Sequence, residues 1–116
     1  MKDDPAQFAA AKAFLENELS AESPGFVSLV VVCELAWALS RAYGLERAPI
    51  ADTIAELAAT PQLTIEAVEV VSSAAAQTRF DIADAIIHLA GRRQGCETTV
   101  TFDRKFAKMK GVRMLA

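Results

Sequence analysis

The fold is decided by residues 81–103, which read DIADAIIHLAGRRQGCETTVTFD. Their first half predicts a helix over residues 82–93, because Asp81 is a residue type that caps helices and Gly95 follows the last turn. Their second half predicts a strand over residues 97–101, where four consecutive residues are β-branched. A helix that leads directly into a strand is typical of α/β folds, in which crossover helices connect parallel strands.

The remainder of the chain shows the same alternation of helices and strands. Helices are predicted from Pro5 with Asp4 as cap, from Ser28 as cap to Tyr43, from 50 to 59 after Pro49, from Glu66 or Ala67 to about residue 78, and in a short form within 102–109. Strands are predicted at Phe26–Val27, Leu63–Ile65 and Val112–Leu115. The sequence therefore predicts one domain over residues 1–116 with a three-layer α/β/α arrangement, in which helices cover both faces of a parallel sheet.

Composition places the chain among ordinary globular proteins. Of its residues 53% are hydrophobic and 23% are charged, a balance that disordered segments lack. No apolar run approaches the roughly 20 residues of a membrane-spanning helix, since the longest, residues 26–33, is followed at once by Glu34. Cys33 and Cys96 do not form a CxxC motif, which favours two buried, reduced thiols in a cytoplasmic protein.

Charge is distributed unevenly along the chain, whose formal net charge is −3. Residues 92–116 carry seven basic and two acidic side chains, whereas residues 1–91 carry five basic and thirteen acidic ones. A basic segment can neutralise phosphates and so bind nucleic acid without sequence preference. A solvated charged face explains the same pattern, and on charge alone it is the favoured explanation.

Three acidic residues fall where predicted strands end or predicted helices begin. Glu34 follows the first strand by one to two helical turns, Asp84 lies in the first turn of the helix after Asp81, and Asp103 directly follows a strand. Parallel sheets collect reactive groups beyond the carboxyl ends of their strands, so these acids can converge on one rim. Oxygen ligands of this kind suit magnesium or manganese, which can promote hydrolysis of a phosphodiester. Scattered acids in another α/β domain, such as a flavodoxin-like one, would produce the same pattern.

Several segments resemble motifs of the PIN domains of VapC-type toxins. Residues 26–45, FVSLVVVCELAWALSRAYGL, are similar to the region around the second acid of that family. Residues 81–87, DIADAII, resemble its third-acid region, and residues 100–103, VTFD, resemble its fourth. The motifs follow the order and spacing of the family along the whole chain. The resemblance implies a PIN fold and an endoribonuclease that depends on Mg²⁺ or Mn²⁺, acts on RNA, forms a homodimer and binds a VapB-like antitoxin.

The resemblance also implies roles for individual residues. It makes Glu34, Asp84 and Asp103 the catalytic, metal-binding acids. Thr101 could steady the site through hydrogen bonds, and Asp81 could reach the metal through water, although a simple helix cap is the favoured role of Asp81. The residues expected to contact RNA are Arg92, Arg93, Arg104 and Lys105.

One element of the family pattern is not found in this sequence. PIN domains open with a hydrophobic strand that ends in an aspartate, and Asp3 and Asp4 follow no such strand. The resemblance therefore predicts an N-terminally truncated domain that lacks a central strand and one metal-binding acid. The neighbouring strands would then close up, or their edges would be paired by an element exchanged between copies of the chain or by a partner peptide. The alternative function is a catalytically incomplete PIN remnant that dimerises or binds an antitoxin.

Overall fold

The computed structural model describes residues 5–116 of the chain. Its helices are α1 (Pro5–Asn17), α2 (Leu29–Arg41), α3 (Arg47–Ala58), α4 (Val68–Ala76) and α5 (Ile82–Arg93). Its strands are β1 (Gly25–Val27), β2 (Leu63–Ile65), β3 (Thr99–Thr101) and β4 (Val112–Met114), and a 3₁₀ turn covers Phe106–Lys108. This order confirms the α/β fold, whereas the expected Asp4 cap lies outside the described residues. None of the helices within residues 5–116 has the length and apolar character needed to cross a lipid bilayer.

Local sequence signals set where several helices begin. Ser28 caps α2, because its hydroxyl accepts the N–H of Val31 at 3.3 Å. α3 begins at Arg47 rather than at residue 50, since Pro49 lies in the first turn, where a helix does not need the missing N–H. α4 begins only after Ala67, whose φ of 49° lies in the left-handed region.

The described strands form two separate two-stranded sheets. β1 pairs with β2 in parallel, with Gly25 opposite Leu63. β3 pairs with β4 in parallel, with Thr99 opposite Val112. Within residues 5–116 no strand joins the two pairs. Strand propensity is a local property of the sequence, whereas strand pairing depends on which edges meet in space.

β1 and β3 each use only one of their edges. The peptide groups of Gly25 and Val27 form hydrogen bonds toward β2. Because alternate residues of a parallel strand point to opposite edges, the N–H and C=O of Phe26 point away from β2. The peptide groups of Val100 in β3 point away from β4 for the same reason. Within residues 5–116, β1 and β3 therefore each keep one unpaired edge, and Phe26 and Val100 on these strands are 66% and 48% exposed.

The hydrophobic core lies among helices α2 to α5 and the β1–β2 sheet. Its largest fully buried side chains are Val32, Leu39, Ile54, Val71 and Ile86. Burial of each such side chain contributes about 1.5–3 kcal/mol. The buried positions of α2 and α5 recur at helical spacing, which is why one face of each helix packs against the other.

The two cysteines differ in burial. Cys33 is buried, and this burial, followed by the nearby carboxylates of Asp81 and Asp84, raises the pKa of its thiol. Cys96 is exposed, so the expectation of two buried thiols was wrong for that residue. Gly95, with a φ of 89°, turns the chain after α5 and places Cys96 in the exposed connection to β3.

A buried histidine attaches the β3–β4 sheet to α5. His88 is only 7% exposed, and its Nδ1 lies 2.8 Å from the hydroxyl of Thr99 in β3. Its ring also packs against Gly111, directly before β4, where an added Cβ would lie 3.0 Å from Cε1 of His88. Gly111 has a φ of 87°, so both its backbone and its missing side chain suit this contact.

Candidate active-site cleft

A cleft of about 640 Å³ lies between the end of α2, the N-terminus of α5 and the segment after β3. Acidic, basic and aromatic side chains line it together: Trp37, Arg41, Arg79, Phe80, Asp81, Asp84, Asp103, Lys105 and Lys108. The carboxyl end of β3 opens onto this cleft, as is typical of sites in parallel α/β folds. The mixture suits an anionic ligand that also has aromatic surfaces.

Two of the acids are placed by the first turn of α5. Asp81 is the N-cap of this helix, and its Oδ1 accepts the N–H of Asp84 at 3.0 Å. This hydrogen bond holds the two residues next to each other at the N-terminus of α5. Asp81 therefore has a structural role as cap in addition to its place in the cleft.

Asp84 is partly buried, and its carboxyl group is harder to ionise than usual. Its pKa is raised from 3.8 to about 6, first by burial and then by the carboxylates of Asp81 and Asp103, while the guanidinium of Arg41 acts in the opposite direction. Crowded carboxylates of this kind take up a proton or a cation readily. A carboxyl group perturbed by burial and by specific charged neighbours is a typical feature of a functional cleft.

Asp103 reaches the cleft from the turn that follows β3. Its N–H donates to the hydroxyl of Thr101 at 3.0 Å. Its Oδ1 accepts the N–H groups of Lys105 and Phe106 at 2.8 and 3.2 Å. These hydrogen bonds fix the turn, so Thr101 helps to set the position of Asp103 in the cleft.

Glu34, expected to be another acid of the site, is not among the residues that line this cleft. It is exposed on α2, one turn before Trp37, which does line the cleft. Within residues 5–116 no three acidic, histidine or cysteine side chains lie close enough together to form a ready metal site. The structure thus gathers Asp81, Asp84 and Asp103 around the cleft and places Glu34 one helical turn away from it.

The basic side chains of the cleft differ from the set that the sequence indicated. Lys105 lines the cleft, whereas Arg92, Arg93 and Arg104 do not. Arg92 and Arg93 lie in the last turn of α5, at the opposite end of this 12-residue helix from the cleft. There Arg93 forms an ion pair with Glu69 of α4 at 2.8 Å.

Three further cations complete the rim of the cleft and were not singled out in the sequence: Arg41, Arg79 and Lys108. A sequence signal for Arg41 was present, because it follows Trp37 by one helical turn. Its guanidinium carbon lies 5.6 Å from the centroid of the Trp37 ring. Arg79 lies two residues before the capping Asp81. That Arg41 and Arg79 line the same cleft as Lys108, however, depends on the packing of distant segments.

Comparison with known proteins identifies one family. The family model described as PIN domain matches residues 1–112 of the chain. This range includes every residue of the cleft. No curated protein and no solved structure matches the chain.

Proposed function

The chain belongs to the PIN domain family, whose members are in general nucleases, and we propose that it acts as a metal-dependent endoribonuclease of the VapC toxin type. The cleft carries this proposal, because it combines the carboxyl groups of Asp84 and Asp103 with a rim of four cations. Hydrolysis of RNA at a metal centre needs both kinds of group. Cations hold the phosphates of the substrate, and carboxylates provide oxygen ligands for a divalent ion.

Asp84 and Asp103 would hold a Mg²⁺ or Mn²⁺ ion, with Asp81 acting through water. The donor set supports this, since Asp81 and Asp103 lie close enough to Asp84 to raise its pKa. Mg²⁺ commonly takes one or two protein carboxylates and completes its shell with waters and substrate phosphates. Such an ion, when bound, makes water more acidic and stabilises charge on the phosphate.

A further acid, a threonine and several basic side chains have proposed roles around these acids. Glu34 is assigned to the same site as a further acid, because residues three apart share a helix face and Trp37 lines the cleft. Thr101 positions Asp103. Phosphates inside the cleft are held by Arg41, Arg79, Lys105 and Lys108, whereas more distant attraction of RNA comes from Arg92, Arg93 and Arg104.

The proposal also includes an apolar surface next to β1 that could receive a further strand. An apolar groove of about 370 Å³ lies between α2 and α5 and is lined by Leu29, Val30, Cys33, Trp37, Ile86, Ile87 and Ala90. It begins two residues after β1, whose edge is open, and Val30 and Ile87 are 66% and 41% exposed. We infer that an additional strand, bringing a further metal-binding acid, completes the domain here. A homodimer partner or a VapB-like antitoxin is expected to cover the remaining apolar surface.

Cleavage of a labelled single-stranded RNA by the full chain tests the function. We expect cleavage with Mg²⁺ or Mn²⁺ and none with EDTA. Asp103→Asn should lower the rate by about a hundredfold or more, because the amide keeps the shape of the carboxylate but not its charge. Asp52→Asn is the matched control, since Asp52 is an exposed aspartate on α3, outside the cleft. Equal rates for these two variants would contradict the assignment.

The second candidate function is a PIN remnant that binds a partner without cleaving RNA. The observation that favours it is the pair of open-edged sheets, together with the lack of three clustered acids within residues 5–116. The same assay separates the two functions. A chain that forms dimers in light scattering but leaves RNA intact at every metal concentration would be the remnant.

A further inference from the structure

The loop between α4 and α5, Gln77–Phe80, is held by one of its own side chains. Oε1 of Gln77 accepts the N–H groups of Arg79 and Phe80 at 3.1 and 2.9 Å. Nε2 of Gln77 donates to the C=O groups of Ala74 and Phe80 at 3.1 and 2.8 Å. A single amide thus forms four hydrogen bonds to the backbone at and next to the loop, and it replaces the regular bonds that a helix or strand would supply.

Arg47 of α3 supports the same loop from the other side. Its guanidinium donates to the C=O of Ala74 at 3.3 Å and to the C=O of Gln77. Gln77 and Arg47 are partly buried, whereas Arg79 is exposed. The loop therefore has a fixed base and an accessible tip. A loop that is ordered before it meets its ligand does not lose that conformational entropy on binding.

The tip of the loop contributes a cation and a ring to the cleft. Arg79 and Phe80 both line it, and the guanidinium carbon of Arg79 lies 5.6 Å from the centroid of the Phe80 ring. Unpaired bases stack on aromatic side chains, and a neighbouring cation binds the adjoining phosphate. A base inside a duplex has both faces covered by its neighbours, so it cannot stack on Phe80 in this way.

We propose that Gln77 is a positioning residue that holds Arg79 and Phe80 as a preformed clamp for one unpaired nucleotide. Phe80 stacks on the base and Arg79 binds the adjacent phosphate. Gln77 touches neither and acts by fixing the backbone beneath both. This inference rests on the proposed nuclease function and adds to it the element that selects single-stranded RNA.

A double-mutant cycle on RNA affinity tests the clamp. The probe is a short fluorescent single-stranded RNA, with binding followed by anisotropy in EDTA to prevent cleavage. Replacing the tip with R79Q/F80L should weaken binding about tenfold. Q77M keeps the side-chain length but removes the four hydrogen bonds, and we expect it to weaken binding about threefold by itself. In the R79Q/F80L background the same Q77M change should have almost no effect, because no side chain remains to be positioned.

An equal loss from Q77M in both backgrounds would overturn the positioning role, since general structural damage does not depend on the tip. F80L alone provides a second measurement that does not involve Gln77. It should reduce the preference for single-stranded RNA over a duplex of the same sequence, and an unchanged preference would also overturn the clamp.

Failure of the nuclease function has a different signature from failure of the clamp. If the clamp alone is wrong, F80L binds single-stranded RNA as tightly as the natural chain, while Lys105→Gln and Lys108→Gln still weaken binding and metal-dependent cleavage persists. If the function is wrong, none of these cleft variants changes RNA affinity and no cleavage is seen.

Discussion

The two ends of α5 belong to one continuous helix but have different properties. Its first turn, with Asp81 before it and Asp84 within it, borders the cleft, and the pKa of Asp84 is raised there to about 6. Its second half carries His88, which is buried against Thr99, and Arg93, which forms a surface ion pair. The first turn brings together carboxylates that repel one another, whereas His88 and Arg93 in the second half each have a partner. Under the proposed function, the N-terminal end serves ligand binding and the C-terminal end serves stability.

The largest expected effect lies at the N-terminal end, where Asp84→Asn should lower RNA cleavage by about a hundredfold or more. The amide keeps the shape of the side chain but lacks the charge that would hold a divalent ion. The free energy of unfolding at pH 7 should stay the same or rise, because repulsion from Asp81 and Asp103 disappears. Cleavage assays and urea denaturation check the two parts. Full activity in this variant would remove Asp84 from the mechanism.

At the other end, His88→Ala should lower the free energy of unfolding by about 1–3 kcal/mol, because the hydroxyl of Thr99 loses its buried partner. Urea denaturation measures the loss, with Gln94→Ala as a control at an exposed position of the helix end. His88→Leu combined with Thr99→Val removes both polar partners and should recover part of the stability. A His88→Ala protein as stable as the control would show that this end does not hold the second sheet.

Asp81 both caps α5 and lines the cleft, and two substitutions separate these roles. Asp81→Ala should lower the free energy of unfolding by about 1 kcal/mol through loss of the cap. Asp81→Asn keeps a capping side chain and should change stability little. Both variants should lower the pKa of Asp84, since the Asp81 carboxylate is one of the groups that raise it. An NMR titration of the Asp84 carboxyl group measures this, and an unchanged pKa would refute the coupling.

The two ends should also respond to pH in opposite directions. The folded state binds the Asp84 proton more tightly than the unfolded state, so the free energy of unfolding falls as pH rises from about 4 to about 6. Burial, and then the charge of Arg92, lower the pKa of His88 below 6.5. The unfolded state therefore binds this proton more tightly, and stability is lost as pH falls below 6.5.

Melting temperatures measured in EDTA between about pH 4 and 7.5 test these two signs. The melting temperature of Asp84→Asn should fall relative to that of the natural chain as pH falls, because the variant lacks the protonation of Asp84 that stabilises the folded state. The melting temperature of His88→Leu should rise relative to that of the natural chain as pH falls below 6.5. Two variants with parallel pH profiles would contradict at least one of the two assignments.

The smallest effect is expected for Arg93→Ala. Its ion pair with Glu69 lies between half-exposed side chains, and such pairs contribute about 0–1 kcal/mol. RNA affinity should fall less than for Arg79→Gln, because Arg93 lies at the end of α5 away from the cleft. Anisotropy titrations at several salt concentrations compare the two. A larger loss for Arg93→Ala would place the RNA along the basic C-terminal segment instead.

Some of the site could be read from sequence because its signals are local. Asp81 and Asp84 stand at the start of a helix with a clear cap, and Asp103 follows the β-branched run after one residue, Phe102, so their local placement needed no tertiary information. The cations were harder to assign. The segment after residue 92 is the most basic part of the sequence, yet Arg41 and Arg79, from outside it, line the cleft. Local charge density does not show which side chains converge.

By itself the sequence determined the order of helices and strands, the caps at Ser28 and Asp81 and the positions of the candidate acids, because capping, turn and β-branched preferences act between neighbouring residues. Only the tertiary structure decided which strands pair, that His88 is buried, and that Glu34 lies outside the cleft. These outcomes depend on pairing and packing between segments far apart in the chain. No local preference specifies which distant partner a strand edge or a charged side chain will meet.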